Sequence, residues 1–137
     1  MSKLPPALSF VLADDDQMMR SILRMALNEH HYRVLGEAAD GDRAIALCRQ
    51  HQPDIALLDI EMPQVDGLEA ARAIGASCPR TQIVMISSLA TLPNVQQALQ
   101  AGACNFIVKP FNGAKLNQVI LQCQRKIALA GTMSGKR

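Results

Sequence analysis

Several short apolar runs in this sequence end in carboxylates, a hydroxyl group or a lysine. Three consecutive aspartates, residues 14–16, follow the run "SFVLA", and Asp59 ends the run "IALLD". Ser87 ends "QIVMIS", and Lys109 ends "NFIVK". Clustered carboxylates raise one another's pKa values, and a divalent cation relieves their repulsion. This set of groups suits phosphoryl transfer to a carboxylate, because that chemistry depends on positioning and on neutralising the phosphoryl oxygens.

The ligand types predict which metal would bind. The three histidines have no metal-binding spacing, and the four cysteines, Cys48, Cys78, Cys104 and Cys123, contain no CxxC pair. Carboxylate oxygens without His or Cys favour Mg²⁺ or Mn²⁺ over zinc. We therefore expect Mg²⁺, with Mn²⁺ as the alternative, and we interpret the cysteines as reduced packing residues.

The apolar runs alternate with segments of helical period, which is typical of a parallel sheet covered by helices on both faces. The predicted strands are residues 9–13, 33–38, 55–59, 82–87 and 105–109. The predicted helices are residues 18–29, 41–50, 67–78 and 93–101, and a last helix with the core stripe Leu116, Val119, Ile120, Cys123 and Ile127. The fold class is therefore α/β, a three-layer, doubly wound (βα)5 arrangement. In such a sheet ligands bind outside the carboxyl ends of the strands, so the polar residues should converge there.

Helical spacing also predicts which side chains are buried. The first helix should bury the stripe Met19, Ile22, Leu23 and Ala26, and the fourth should bury Val95, Ala98 and Leu99. Asp16 is expected to cap the first helix. The second strand is interrupted by Gly36, so we place it at an edge of the sheet.

Length and composition predict one domain. The chain has 137 residues, and we assign residues 1–130 to the domain and 131–137 to a frayed tail or the start of a linker. No apolar run reaches the ~20 residues that span a bilayer, and the first ten residues do not resemble a secretory signal. We therefore expect a cytoplasmic protein.

Charge is divided unevenly along the chain. Residues 1–69 contain all 12 acidic residues and 6 basic ones, whereas residues 70–137 contain 8 basic residues and no acidic one. The second half contains the fourth helix, the fifth strand and the fifth helix. The fifth helix carries Lys115, Arg125 and Lys126. This basic charge is too sparse for a nucleic-acid footprint, so an acidic protein partner is favoured over DNA.

Four motifs together resemble the receiver domains of two-component response regulators. They are "LADDDQMMR", "LLDIEMPQVDG", "VMISS" and "AGACNFIVKPF", and their order and spacing match that family from about Ser9 to Ile127. The resemblance implies the sheet order 2-1-3-4-5. It also implies phosphorylation by a histidine kinase or a phosphotransfer protein, followed by a change in an output surface on helix 4, strand 5 and helix 5. A downstream target, an output domain or a second copy of the chain would bind that surface.

The resemblance also implies a role for each site residue. Asp59 would be the phosphoacceptor, and Lys109 would contact the phosphoryl group. Asp15, Asp59 and the backbone carbonyl of Glu61 would bind Mg²⁺ directly, and Asp14 would act through a metal-bound water. Ser87 and Phe106 would be the switch residues. The Glu61 side chain is expected to overhang the site, where it pairs with Lys109 or orients a water.

Other interpretations remain open from the sequence. Haloacid-dehalogenase-like phosphohydrolases also use an aspartate nucleophile and Mg²⁺, but their nucleophile lies near the first strand. A flavodoxin-like FMN carrier would need a phosphate-binding loop where the three aspartates stand. A third interpretation is a receiver excised from a longer regulator with a DNA-binding or enzymatic output.

Overall fold

The computed structural model describes the backbone of residues 7–134 and the side chains of residues 7–129. Five strands alternate with five helices along the chain. The strands are β1 Ser9–Ala13, β2 Arg33–Ala38, β3 Ile55–Asp59, β4 Gln82–Ser87 and β5 Asn105–Val108. The helices are α1 Gln17–Glu29, α2 Gly41–His51, α3 Gly67–Ser77, α4 Leu92–Gln100 and α5 Gly113–Ser134. These bounds agree with the predicted elements to within a few residues, except at the end of α5.

The five strands form one parallel sheet in the order β2-β1-β3-β4-β5. This order confirms the predicted doubly wound α/β fold. The winding changes direction between β1 and β3, so the carboxyl ends of these two neighbouring strands open a crevice. Their register pairs Ala13 with Leu58, which places Asp14 and Asp59 side by side just beyond the pairing.

Strand β2 lies at a sheet edge, as its interrupted sequence predicted. Its register against β1 shifts where Phe10 pairs with Val34 and Val11 pairs with Gly36. Gly36 also faces α2, where a β-carbon would meet the Leu47 methyl groups at 3.0 and 3.1 Å. The glycine therefore allows α2 to pack closely on this strand.

Two apolar clusters fill the space on the two faces of the sheet. Helices α2, α3 and α4 cover one face, and their contribution includes Leu47, Ile74 and Ala98. Helices α1 and α5 cover the other face, with Leu23 and Ile120 among the buried residues. The strands carry apolar side chains on both faces of the sheet, because helices bury both faces.

Two of the predicted core positions are wrong. Ile22 on α1 is 50% exposed and Leu99 on α4 is 53% exposed. In α1 the buried side chains are Leu23 and Leu27, one turn apart, and in α4 the buried one is Ala98. Each misassigned residue is the chain neighbour of a buried residue, and a step of one residue turns a helical side chain by about 100°.

Helix α5 extends to Ser134, beyond residue 130, where the sequence placed the start of the tail. Residues 135–137 of the predicted tail lie outside the described residues. Between residues 7 and 134, none of the helices has both the length and the apolar character needed to cross a membrane.

Candidate functional site

The carboxyl ends of β1 and β3 bring three carboxylates together. Asp14 follows β1 and is 1% exposed, Asp59 ends β3 and is 3% exposed, and Asp15 is exposed. One oxygen from each carboxylate lies within 4.8 Å of the other two. The third aspartate of the run, Asp16, caps α1 by accepting hydrogen bonds from the backbone N–H groups of Met18 and Met19. The predicted cap is therefore confirmed, and Asp16 is not part of this carboxylate group.

The backbone around Asp59 is held on two sides. The Ile60 N–H donates to the Ile86 carbonyl at 3.0 Å, and the Gly67 N–H donates to the Ile60 carbonyl at 3.0 Å. A β-carbon at Gly67 would overlap the Asp59 carbonyl oxygen and approach the Ile60 Cα to 2.8 Å. Helix α3 can therefore begin directly against the strand end only because residue 67 has no side chain.

Lys109 joins the two buried carboxylates. Its Nζ donates to Asp14 Oδ2 at 2.9 Å and lies 3.3 Å from Asp59 Oδ2. Burial of the ammonium favours its neutral form, but the hydrogen bond to Asp14 and the charges of Asp59 and Asp14 outweigh this effect and raise the pKa of Lys109. The lysine is therefore a fixed positive charge in a crevice of carboxylates.

The pKa of Asp59 is raised to about 7. Burial is the largest cause, and the neighbouring Asp14 carboxylate adds to it, while Lys109 acts in the opposite direction. An additional positive charge nearby stabilises the ionised form of such a carboxylate and lowers its pKa. The electrostatics of the crevice therefore favour a bound cation.

Asp14 has both of its carboxylate oxygens occupied. Oδ1 accepts a hydrogen bond from the Asp16 backbone N–H at 2.9 Å, and Oδ2 accepts the one from Lys109. Its backbone carbonyl accepts a hydrogen bond from Arg20 Nη1 at 2.6 Å, and Arg20 Nε lies 3.5 Å from Glu37 Oε1.

Arg20 was not among the residues predicted from the sequence. Its only signal was its place on the first turn of α1, four residues after the capping Asp16.

Ser87 and Glu61 form a direct hydrogen-bonded pair. The Ser87 hydroxyl, which is fully buried, donates to Glu61 Oε2 at 2.6 Å and accepts from the Leu89 N–H at 2.9 Å. The expected contact between Glu61 and Lys109 is not what the structure has, since the described partners of Lys109 are Asp14 and Asp59. The Glu61 backbone N–H faces Asp59 Oδ1 at 3.4 Å. Both ends of Glu61 therefore face site residues.

Phe106 lies on β5, where it pairs in register with Met85 of β4. Its ring is half-buried and packs against the cluster beneath α2, α3 and α4. The structure thus places this predicted switch residue on the strand that leads to Lys109, three residues before it.

Comparison with known proteins places this geometry in a family. The family model described as "Response regulator receiver domain" matches residues 10–121. The chain is 34% identical over 110 residues to the chemotaxis protein CheY of Bacillus subtilis, an alignment that covers 80% of this chain and 92% of CheY. It is 37% identical over 102 residues to the transcriptional regulatory protein PdtaR of Mycobacterium tuberculosis, and this match covers 74% of the chain but only 49% of PdtaR.

A solved structure of similar shape contains a metal. The CheX-CheY-BeF3-Mg²⁺ complex from Borrelia burgdorferi matches with a TM-score of 0.81 and 30% identity, covering 84% of this chain and 87% of the matched one. The family model matches most of the chain, and this solved structure shares its fold. The chain therefore belongs to the response regulator receiver domain family of two-component signalling.

Proposed function

We propose that Asp59 accepts a phosphoryl group from a phosphohistidine donor with the help of bound Mg²⁺, and that the chain thereby acts as a signalling switch. The observation that carries this proposal is the position of the Lys109 ammonium, within 3.3 Å of both Asp14 Oδ2 and Asp59 Oδ2. A buried nucleophilic carboxylate and a partly buried ammonium in one crevice suit phosphoryl transfer to aspartate.

The carboxylates present are suited to hold Mg²⁺. Asp15 and Asp59 offer oxygen ligands, and we propose the backbone carbonyl of Glu61 as a further ligand. Both oxygens of Asp14 already accept hydrogen bonds, which supports an indirect role for it through a metal-bound water. Mg²⁺ usually keeps several waters and takes one or two carboxylates plus a phosphate oxygen. When bound, the ion would supply positive charge against the phosphoryl oxygens.

The residues of the chain would act in order around the transfer. An oxygen of Asp59 attacks the phosphorus of the donor, and the phosphorus–nitrogen bond of the phosphohistidine breaks. Lys109 then pairs with a phosphoryl oxygen, because the Asp59 carboxylate has lost its negative charge in forming the acyl phosphate. Ser87 leaves Glu61 and donates its hydrogen bond to another phosphoryl oxygen. Phe106 moves inward on β5, which alters the surface formed by α4, β5 and α5.

The proposed donor would dock beside the crevice. Helix α1 begins directly after the aspartates and exposes Met18, Ile22 and Met25, which are 71%, 50% and 64% exposed. These residues lie at i, i+4 and i+7 and form an apolar stripe on one face of the helix. Methionine side chains adapt to varied partners. A kinase or phosphotransfer protein bound to this stripe would present its phosphohistidine close to Asp59.

The direct test uses the intact chain and a small phosphodonor, acetyl phosphate. We expect intact-mass spectrometry to detect one labile phosphoryl adduct when Mg²⁺ is present and none when a chelator has removed it. Peptide mapping should place the adduct on the segment that contains Asp59. Labelling of another segment, or equal labelling without the metal, would contradict the proposal.

Mg²⁺ affinity should increase as the pH rises through about 7 and reach a plateau above it. The raised pKa of Asp59 means that a proton competes with the cation below that pH, because the cation binds only the ionised carboxylate. Calorimetric titration is the suitable measurement, since the chain has no tryptophan to report binding by fluorescence. The Asp59→Asn variant should bind Mg²⁺ weakly and without this pH dependence. Equal Mg²⁺ affinity below and above pH 7 would contradict this prediction.

The Glu61→Ala substitution should lengthen the lifetime of the phosphoryl adduct several-fold. The 2.6 Å hydrogen bond from Ser87 to the Glu61 carboxylate competes with the bond that Ser87 would make to the phosphoryl group. Hydrogen bonds to charged groups contribute about 1.5–3 kcal/mol, so the competition is energetically significant. Loss of the adduct is followed by mass spectrometry after the phosphodonor is removed.

Ser87→Ala provides the matched background for this measurement. If Glu61 acts through Ser87, the Glu61→Ala substitution should change the lifetime little in chains that already carry Ser87→Ala. An equal effect in both backgrounds would show that the Glu61 side chain acts on the phosphoryl group or its attacking water instead.

A further inference from the structure

Two cysteines on the side of the sheet opposite α3 are in contact with each other. Cys104 immediately precedes β5, and Cys123 lies in the middle of α5. Their sulfur atoms are 3.5 Å apart, within hydrogen-bond distance for thiols. Cys123 is 1% exposed, whereas Cys104 is half-buried and reaches solvent. The pair therefore joins one accessible thiol to one that solvent does not reach.

The surroundings favour the thiolate on the accessible member of the pair. The hydrogen bond with Cys123 is the largest cause that lowers the pKa of Cys104 to about 7, although burial opposes it, and the charge of Lys126 contributes. The same contact raises the pKa of Cys123, with burial as a further cause. Thiolate character and access to solvent are the two properties that make a cysteine reactive.

The other two cysteines are closed to solvent. Cys48 and Cys78 are 0% exposed. Burial, followed by the proximity of Cys78, raises the pKa of Cys48 to about 12. These two residues belong to the apolar cluster on the opposite face of the sheet and serve as an internal reference for an unreactive pair.

We propose that Cys104 and Cys123 form an oxidisable dithiol site that reacts with peroxides and closes into an intramolecular disulfide. In the first step the Cys104 thiolate attacks a peroxide oxygen, the O–O bond breaks, and Cys104 becomes a sulfenic acid. With hydrogen peroxide, the released hydroxide takes a proton and leaves as water. In the second step the Cys123 sulfur attacks the Cys104 sulfur, the S–O bond breaks, and a second water leaves. Both thiols together give two electrons, and one peroxide accepts them.

The second step requires only a short approach. The two sulfur atoms must close from 3.5 Å to the roughly 2.05 Å of a disulfide bond. The bond would tie the start of β5 to α5 across 19 residues. Because β5 carries Phe106 and leads to Lys109, the link would join the fifth helix to the strand that ends at the carboxylate crevice. The site itself does not depend on phosphorylation of Asp59.

The test exposes the reduced intact chain to an equimolar amount of hydrogen peroxide, alkylates the remaining thiols and maps the peptides by mass spectrometry under non-reducing conditions. We expect peroxide to make Cys104 resistant to alkylation at least about tenfold faster than it does Cys48. A peptide that links Cys104 to Cys123 within one chain should appear, and dithiothreitol should remove it. A link between two chains, or equal rates for all four cysteines, would overturn the proposal.

Two variants separate the steps. Cys123→Ser keeps a hydrogen-bond donor beside Cys104 but cannot form the disulfide, and in this variant Cys104 should accumulate as a sulfenic acid that dimedone traps. Cys78→Ala, the matched control, should leave the link between Cys104 and Cys123 unchanged. Circular dichroism checks that each variant is folded. If Cys104 in folded Cys123→Ser traps no dimedone and resists peroxide, or if folded Cys78→Ala abolishes the link, the assignment of the site is wrong.

Discussion

The Asp59→Asn variant should carry no phosphoryl adduct after treatment with acetyl phosphate and Mg²⁺. Asparagine keeps the shape of the side chain but replaces the attacking carboxylate oxygen with an amide, which is not a nucleophile for phosphorus. Lys109 keeps its hydrogen bond to Asp14 in this variant, so the lysine should stay in the crevice. The expected effect is complete loss, measured as the adduct in the intact mass.

Asp16→Asn is the matched control for this experiment. It also converts an aspartate at the carboxyl edge of the sheet to an amide, but Asp16 caps α1 and does not belong to the carboxylate group. Asparagine caps a helix about as well as aspartate, so this variant should stay folded and become labelled normally. An undiminished adduct in Asp59→Asn would mean that another residue accepts the phosphoryl group.

The second large effect concerns stability and is expected for Gly67→Ala. A methyl group at residue 67 would overlap the backbone oxygen of Asp59 and crowd Ile60, and neither backbone atom can move aside as a flexible side chain does. Overpacking against a fixed backbone costs about 3 kcal/mol. For a domain of this size that loss corresponds to a fall of roughly 10 °C in melting temperature. Thermal unfolding followed by circular dichroism measures it.

The same helix supplies the control for Gly67→Ala. Gly75 lies on the exposed side of α3, and a β-carbon added there would meet no atom within 4 Å apart from its chain neighbours and the backbone of its own helix. Gly75→Ala should therefore stabilise the domain by about 0.5–1 kcal/mol, because alanine loses less backbone freedom than glycine in a helix. If the two substitutions shift the melting temperature equally, the close contact between α3 and the end of β3 is not a determinant of stability.

Much of the fold could be predicted because the buried parallel strands are continuous apolar runs. The run at 55–59 is buried at every position in the structure, and its terminal Asp59 lies at the crevice as strand-end geometry requires. The sheet order and the roles of Lys109 and Ser87 came from the family resemblance. Periodicity alone would not have supplied them, since it does not determine which strands are neighbours.

Side-chain partners were harder to predict than positions. Glu61 was expected either to pair with Lys109 or to orient a water, but Lys109 is already held by Asp14 and Asp59. The donor that Glu61 meets instead is a neutral hydroxyl, that of Ser87. Arg20 was missed for a related reason. It binds the backbone carbonyl of Asp14, and an acceptor of that kind is present in every residue and leaves no mark in the sequence.

The two outer strands of the sheet have a consequence for self-assembly. An open strand edge is a template for another chain, and long, flat, regular edges lead to aggregation. Here β5 has only four residues and is followed by Pro110, while β2 carries Arg33 and Glu37 and has a shifted register against β1. Neither edge offers a long, regular row of backbone donors and acceptors. We infer that the folded chain resists strand-by-strand growth into fibrils.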